Sequence, residues 1–262
     1  MYNCLIIGAG KKGALSDAPG TGNEEKYLSH AHAITDHPDT DLLGFIDTDF
    51  EAQIKAEDTW GVKTSEAYNR GVDIVVISTP DNIHHISLLQ ALLFKPKLVI
   101  CEKPLCLQTH MYEIQEIYAA ANIPILVNYT RRFIPHWQEI KAKISEYGVF
   151  RSGYLYYNRG RLHTASHFID MCLWLGITDF SKIQVTEIAE NYQWVFDWSL
   201  FYEKDFISEK AVDIKTTAVP SIYDQSIYNV IDNAIGFLNE GQPLKCTIAE
   251  AIEAINQTNK ME

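Results

Sequence analysis

The apolar run Cys4-Leu5-Ile6-Ile7 passes straight into Gly8-Ala9-Gly10-Lys11-Lys12-Gly13, a GxGxxG. A short buried strand ending in that pattern constrains the fold more than any other feature of the chain. One glycine serves the tight turn, one lets a pyrophosphate approach the backbone, and one lets the next helix pack closely. A Gly-rich turn alone is common, so its context decides. Apolar runs recur at residues 42–46, 74–78, 98–101 and 125–127, with amphipathic helical patterns around 28–35, 83–94 and 111–121. Near-continuously apolar strands that alternate with helices predict a parallel sheet covered on both faces. Residues 1–128 are therefore expected to form an α/β, Rossmann-type dinucleotide-binding domain.

The pattern changes after Arg132. Residues 133–147 read as a helix, 150–157 as a strand with one solvated face, and 165–175 as a helix. Residues 183–214 alternate aromatic and polar positions (Trp194, Phe196, Trp198), which suits antiparallel strands. Two helices, near 226–238 and 248–259, close the chain. Residues 129–262 are thus expected to form an α+β domain built on a mostly antiparallel open sheet.

Composition narrows the function. Hydrophobic residues make up 47% and charged residues 21%, an ordinary globular balance. The formal charge of 22 − 34 = −12 argues against a nucleic-acid partner, which needs clustered Lys and Arg. No signal peptide is evident and no run reaches the roughly 18 apolar residues of a membrane span, so a cytoplasmic protein without membrane association is expected. Cys4, Cys101, Cys106, Cys172 and Cys246 are odd in number and form no CxxC pair. They suit a reducing compartment rather than a disulfide framework or a zinc cage.

The second predicted strand ends at Phe45-Ile46-Asp47, where a carboxylate can accept hydrogen bonds from the adenosine ribose. Thr48 and Asp49 follow rather than an arginine, and an extra acid repels a 2′-phosphate, so NAD is expected over NADP. Taken alone, Asp47 also reads as an ordinary strand-end turn residue. It lies further from Gly13 than the fingerprint predicts, and residues 16–23 account for the gap. Pro19, Gly20 and Gly22 cannot continue a helix, so a loop is inserted before a helix that resumes near Tyr27. That loop reads equally as a flap over the site and as inert surface.

Three further segments fall beyond the carboxyl ends of predicted strands, where open α/β sheets bind ligands. They are Ser78-Thr79-Pro80-Asp81-Asn82-Ile83-His84, Glu102-Lys103-Pro104, and Asn128-Tyr129-Thr130-Arg131-Arg132. Together with the Gly-rich turn, and in this order, they resemble the Gfo/Idh/MocA family, typified by glucose-fructose oxidoreductase and inositol 2-dehydrogenase. The resemblance spans about residues 1–176, and the tripeptide at 102–104 is its most diagnostic element. The remaining region is shorter than in typical members.

The resemblance implies hydride transfer between NAD and a secondary hydroxyl of a sugar, cyclitol or sugar nucleotide, with surface-glycan precursors one setting for it. It puts Lys103 beside nicotinamide and substrate, where a cation stabilises the alkoxide that forms as hydride leaves. Lys11, Lys12, Ser78, Thr79, Pro80, Asn82, His84, Glu102 and Asn128 join the glycines and Asp47 at the cofactor. Tyr129, Arg131 and Arg132 are expected at the substrate. One of the two arginines can grip an anionic group while the other forms a salt bridge. Family members commonly carry D-x-x-x-H-x-x-D. Here His167 and Asp170 match its later positions and His163 replaces the first acid. His167 is the expected general base, His163 a catalytic or substrate-binding partner, and Asp170 an orienting residue. If the helix starts near His163, all three share a face. That spacing also suits zinc, but no metal is expected. Tyr154, Tyr156, Tyr157, Arg159 and Arg161 read either as a sugar-stacking strip or as ordinary strand residues. The resemblance also implies that residues 129–262 serve substrate binding and dimerisation, so a homodimer or homotetramer is expected. The rival readings are an NAD-dependent glycosidase and a non-catalytic NAD-binding sensor.

Overall fold

The computed structural model describes residues 1–23, 26–189, 194–212 and 222–261. Two compact units form. The first comprises Met1–Ile134 with Ser221–Ile252, and the second Pro135–Pro220 with Glu253–Glu262.

The first unit holds a five-stranded sheet of β1 (Tyr2–Ile7), β2 (Thr40–Ile46), β3 (Ile74–Ile77), β4 (Leu98–Glu102) and β5 (Ile125–Asn128). All pairings are parallel and the order is β2-β1-β3-β4-β5. The chain leaves β1 towards one edge and, after β2, crosses to the other side. The reversal leaves a crevice between the ends of β1 and β3. Helices α1 (His30–Asp36), α2 (Phe50–Trp60), α3 (Ala67–Arg70), α4 (His84–Ala91) and α5 (Met111–Ala121) connect the strands. Every residue of β3 and β4 is buried, as a sheet covered on both faces requires.

Two features of this unit go beyond the expected pattern. Helix α2 is capped by Asp49, whose side chain accepts from the Glu51 and Ala52 amides, and it ends at Gly61 in the left-handed region. Only Ala56 of it is fully buried, so it carries almost no apolar stripe to read. The chain also returns to the first unit at α8 (Ser226–Glu240). Its Ile227, Val230, Ile231, Ala234 and Ile235 repeat at helical spacing and share one core with Cys4, Ile6, Ile34 and Phe45.

The second unit contains α6 (Pro135–Lys143), β6 (Phe150–Tyr157), α7 (Ser166–Trp174), β7 (Ile183–Glu187), β8 (Val195–Tyr202) and β9 (Phe206–Val212). Helix α6 starts two residues later than expected, after a 3-10 turn over Thr130–Phe133. The sheet order is β7-β6-β8-β9. β8 pairs antiparallel with β6 and with β9, but β7 pairs parallel with β6, which corrects the antiparallel reading of residues 183–187. The reason is the connection: α7 lies between β6 and β7, and a helical crossover brings the chain back in the same direction. Residues 190–193 and 213–214 of the stretch expected as sheet lie outside the described residues. Trp198 of β8 packs ring to ring against Trp137 of α6 and against Phe168 of α7, with centroids 5.6 Å apart in both pairs. The closing helix α9 spans Ile248–Lys260. Among the described residues, no helix is long and apolar enough to cross a membrane.

The inserted segment is anchored. After Gly10 the chain makes one π-helical turn, Lys11–Leu15, and α1 begins only at His30. Between them Asp17 is buried and accepts from the Leu28 amide (2.5 Å), the Ser29 amide (3.0 Å) and the Ser29 hydroxyl, with His32 Nδ1 3.1 Å away. One carboxylate thus fixes the start of α1. Replacing Asp17 with Ala leaves those donors buried and unpaired, and is expected to cost about 2 kcal/mol or more. Urea unfolding is expected to show a lower midpoint with the slope unchanged.

Candidate active site

β1 ends where the Ser78 amide donates to the Ile7 carbonyl and the Ser78 hydroxyl donates to the Gly8 carbonyl, both at 2.8 Å. Gly8 has φ +107°, and a Cβ there would lie 2.6 Å from the Ser78 backbone. A Cβ on Gly13 would run into the Gly8 carbonyl oxygen. These two glycines are required by the fold itself. Gly10 is different: it is exposed and an added Cβ would meet nothing within 4 Å. Its requirement comes from outside the chain, as expected where a pyrophosphate approaches the backbone. The residues of this turn therefore fit a dinucleotide.

Asp47 accepts from the Ala9 amide (2.7 Å) and from the Asp49 amide (2.9 Å). It braces the glycine turn as well as marking the end of β2. Lys11 and Lys12 are exposed on the turn. Beyond β3, the Thr79 hydroxyl meets that of Ser87 at 3.0 Å, and Pro80 and Asn82 are exposed around a short 3-10 turn. His84 is buried. Its Nδ1 lies 2.7 Å from the Pro104 carbonyl and its Nε2 2.9 Å from the Thr79 carbonyl. The ring staples the turn after β3 to the turn after β4, so its nitrogens are spent on backbone.

Glu102 ends β4, paired in register with Asn128 at the end of β5. Its carboxylate is buried, and its Oε1 accepts from His30 Nε2 (2.9 Å) and from Asn128 Nδ2 (2.8 Å). Burial alone would push this carboxyl up. The His30 hydrogen bond, the charge of Lys12 and the Asn128 amide outweigh it and hold the group at about 2. Lys103 follows. Burial lowers its ammonium to about 8 against the opposing pull of Glu102 and Asp81, while the positive charges of Arg131 and Lys12 push the same way as burial. A lysine in that range is charged below pH 8 yet releases its proton near neutrality, which suits acid–base work.

Asn128 is buried; besides holding Glu102, its Oδ1 accepts from the Thr130 hydroxyl at 3.2 Å. Tyr129 is buried beside it. The two arginines divide as charge and packing dictate. Arg132 donates to the Lys245 carbonyl (3.0 Å) and to Glu250 (2.5 Å), tying the segment after β5 to α9. Arg131 stacks over Tyr223 at 5.6 Å and is the arginine whose charge Lys103 feels. In the second unit, His163 is exposed on a π-helical turn over Arg161–Ala165, His167 is half-buried with its ring edge-on to Phe196 at 6.4 Å, and Asp170 is buried. The π turn separates His163 from the regular helix that carries the other two.

Two residues at this site were not read from the sequence. Asp81 sits inside the quoted segment but carries no pattern of its own. His30 follows Ser29, whose side chain caps α1 by accepting from the His32 amide. A serine just before the resumed helix marks where α1 starts; that its first residue reaches Glu102 needs three dimensions.

The arrangement defines a dinucleotide-binding Rossmann domain with an acid–lysine pair at the end of its fourth strand. Residues 2–123 match the model of the GFO_IDH_MocA family, described as an oxidoreductase family with an NAD-binding Rossmann fold. The protein is thus an NAD-binding oxidoreductase. No curated protein matches the chain in sequence. Solved structures resemble it over nearly its whole length. A myo-inositol dehydrogenase from Corynebacterium glutamicum ATCC 13032 is 16% identical at TM-score 0.72, over 99% of this chain and 95% of that one. The WlbA dehydrogenase from Bordetella pertussis, in complex with NADH and UDP-GlcNAcA, is 17% identical at 0.72, over 99% and 97%. A UDP-N-acetylglucosamine 3-dehydrogenase from Acidithiobacillus ferrooxidans is 12% identical at 0.71, over 99% and 96%. At such identities the likeness establishes a shared fold.

The glycines separate folding from binding. Gly10→Ala is expected to melt within about 2 °C of the wild type, since its Cβ enters open space, but to weaken NADH binding about tenfold or more. Gly13→Ala is expected to lose several degrees or fail to fold. Thermal melts and NADH fluorescence titration check both.

Proposed function

We propose that this protein transfers hydride between NAD and a secondary hydroxyl of a sugar, cyclitol or sugar nucleotide, residues 1–128 serving the cofactor and 129–262 the substrate. One observation carries the reading: Lys103, half-buried just past the end of β4 of an NAD-binding sheet, is held at about 8 among Glu102, Asp81, Arg131 and Lys12. When bound, NAD supplies the hydride acceptor at its nicotinamide; the chain supplies everything else. Lys103 presents an ammonium to the hydroxyl whose carbon loses hydride, and stabilises the negative charge on its oxygen as the proton leaves. The charge of Glu102 favours the protonated form of that ammonium. His167 is assigned the proton of the reacting hydroxyl. Arg131, whose positive charge acts on Lys103, is assigned an anionic group of the substrate. Structures of the same fold carry names that specify myo-inositol and UDP-sugars as their substrates, which supports a polyhydroxylated compound here.

Lys103→Met is expected to reduce turnover by about a thousandfold or more while NADH binding stays within about threefold, because a charge used only at the transition state is lost. In the wild type, the rate of substrate oxidation is expected to fall as pH rises through about 8, where Lys103 loses its proton and with it the charge that the alkoxide needs. Following NADH absorbance over a panel of free sugars, inositols, sugar acids and sugar nucleotides tests the reading. Binding of NADH with no oxidation of any member would overturn it.

A further inference from the structure

His30 lies outside every motif described above, yet its ring is wholly buried and its Nε2 reaches Glu102 Oε1 at 2.9 Å. Its other nitrogen, Nδ1, is buried with no hydrogen-bond partner. A buried polar atom without a partner costs on the order of 1–3 kcal/mol. An apolar residue would fill the same space without that cost, so packing does not explain the histidine. Its one hydrogen bond does: Glu102 is an ionised carboxylate in the interior and needs donors.

The inserted segment makes this contact possible. Asp17 fixes the Leu28 and Ser29 amides, Ser29 caps α1, and the first residue of α1 is His30. The ring is therefore aimed by a built structure rather than by a mobile loop. On the opposite side Asn128 donates to the same oxygen from β5. We propose that His30 is a positioning residue of the active site: through its hydrogen bond to Glu102 it holds the carboxylate that stabilises the ammonium of Lys103. The charged groups facing this pair are Lys12 at Glu102, and Lys12, Asp81 and Arg131 at Lys103. The catalytic meaning of this inference rests on the proposed role of Lys103, but the contact and its electrostatic effect do not.

The test compares two amides. In His30→Gln the side-chain nitrogen matches the position of Nε2 and keeps a donor for Glu102; in His30→Asn it matches Nδ1 and falls short. The proton affinity of Lys103 is read without substrate, from its rate of trace acetylation by acetic anhydride across pH, quantified by mass spectrometry. His30→Asn is expected to lower the apparent pKa of Lys103 by roughly half a unit or more, and His30→Gln to stay near the wild-type value, since Glu102 raises Lys103 only while it is held and charged. Glu102→Gln, which removes the charge and keeps the shape, is expected to lower it at least as far, and reports on the same coupling if His30→Asn does not fold. A Lys103 value unmoved in folded His30→Asn, or unmoved in Glu102→Gln, overturns the inference. If His30→Asn moves it while Lys103→Met leaves turnover intact, the coupling stands and the catalytic reading of Lys103 falls. If Lys103→Met abolishes turnover while His30→Asn moves nothing, the reverse holds.

Discussion

An ionised carboxylate is stable inside a protein only where donors and positive charge replace the water it has lost, and Glu102 is such a group. Its partners come from distant parts of the chain: His30 from the helix after the inserted segment, Asn128 from the next strand, and the charge of Lys12 from the glycine turn. Each has its own support. Asp17 and Ser29 set the start of α1, the parallel register sets Asn128 opposite Glu102, and Asp47 braces the turn that carries Lys12. Lys103, the next residue, gains an anion that offsets part of the burial pushing its proton off. The strand ends, the insertion and the glycine turn therefore converge on one carboxylate.

Much of the first unit was legible because its sheet is buried on both faces and so writes itself as apolar runs. β6 is read from 150–157 without error because its two faces differ in solvation. Helix α2 was illegible for the opposite reason: with one fully buried residue it leaves no periodic trace, and only its cap at Asp49 and stop at Gly61 mark it. The parallel pairing of β7 depends on the path of the chain through α7, which alternation of residue types does not encode. The return of α8 to the first sheet is likewise a matter of connection; its apolar stripe predicts burial but not against what.

The site was legible as a set of positions and less so as a set of roles. Residue types told which groups were chemically able to act, but not which had already been claimed by the fold. His84 is spent on two carbonyls, Asn128 on Glu102, and Arg132 on Glu250 and a carbonyl, whereas a side chain added at Gly10 would meet nothing within 4 Å. Hydrogen-bond accounting separates residues that build the site from those left to meet a ligand. His30 is the converse case, since nothing in its sequence neighbourhood marks it, and only its contact with Glu102 gives it a part. His163 and His167 belong to the second unit, and their assignment rests on pattern and chemistry.

The central claim is that the Glu102–Lys103 pair serves hydride transfer from a carbon bearing a hydroxyl. The most direct measurement uses sugars and cyclitols carrying deuterium on each carbinol carbon in turn, incubated with NAD and the protein, with the recovered nicotinamide examined by mass spectrometry. The account predicts deuterium on the nicotinamide ring from one carbon of at least one compound. NAD binding that saturates normally while no compound passes label to the cofactor would contradict it.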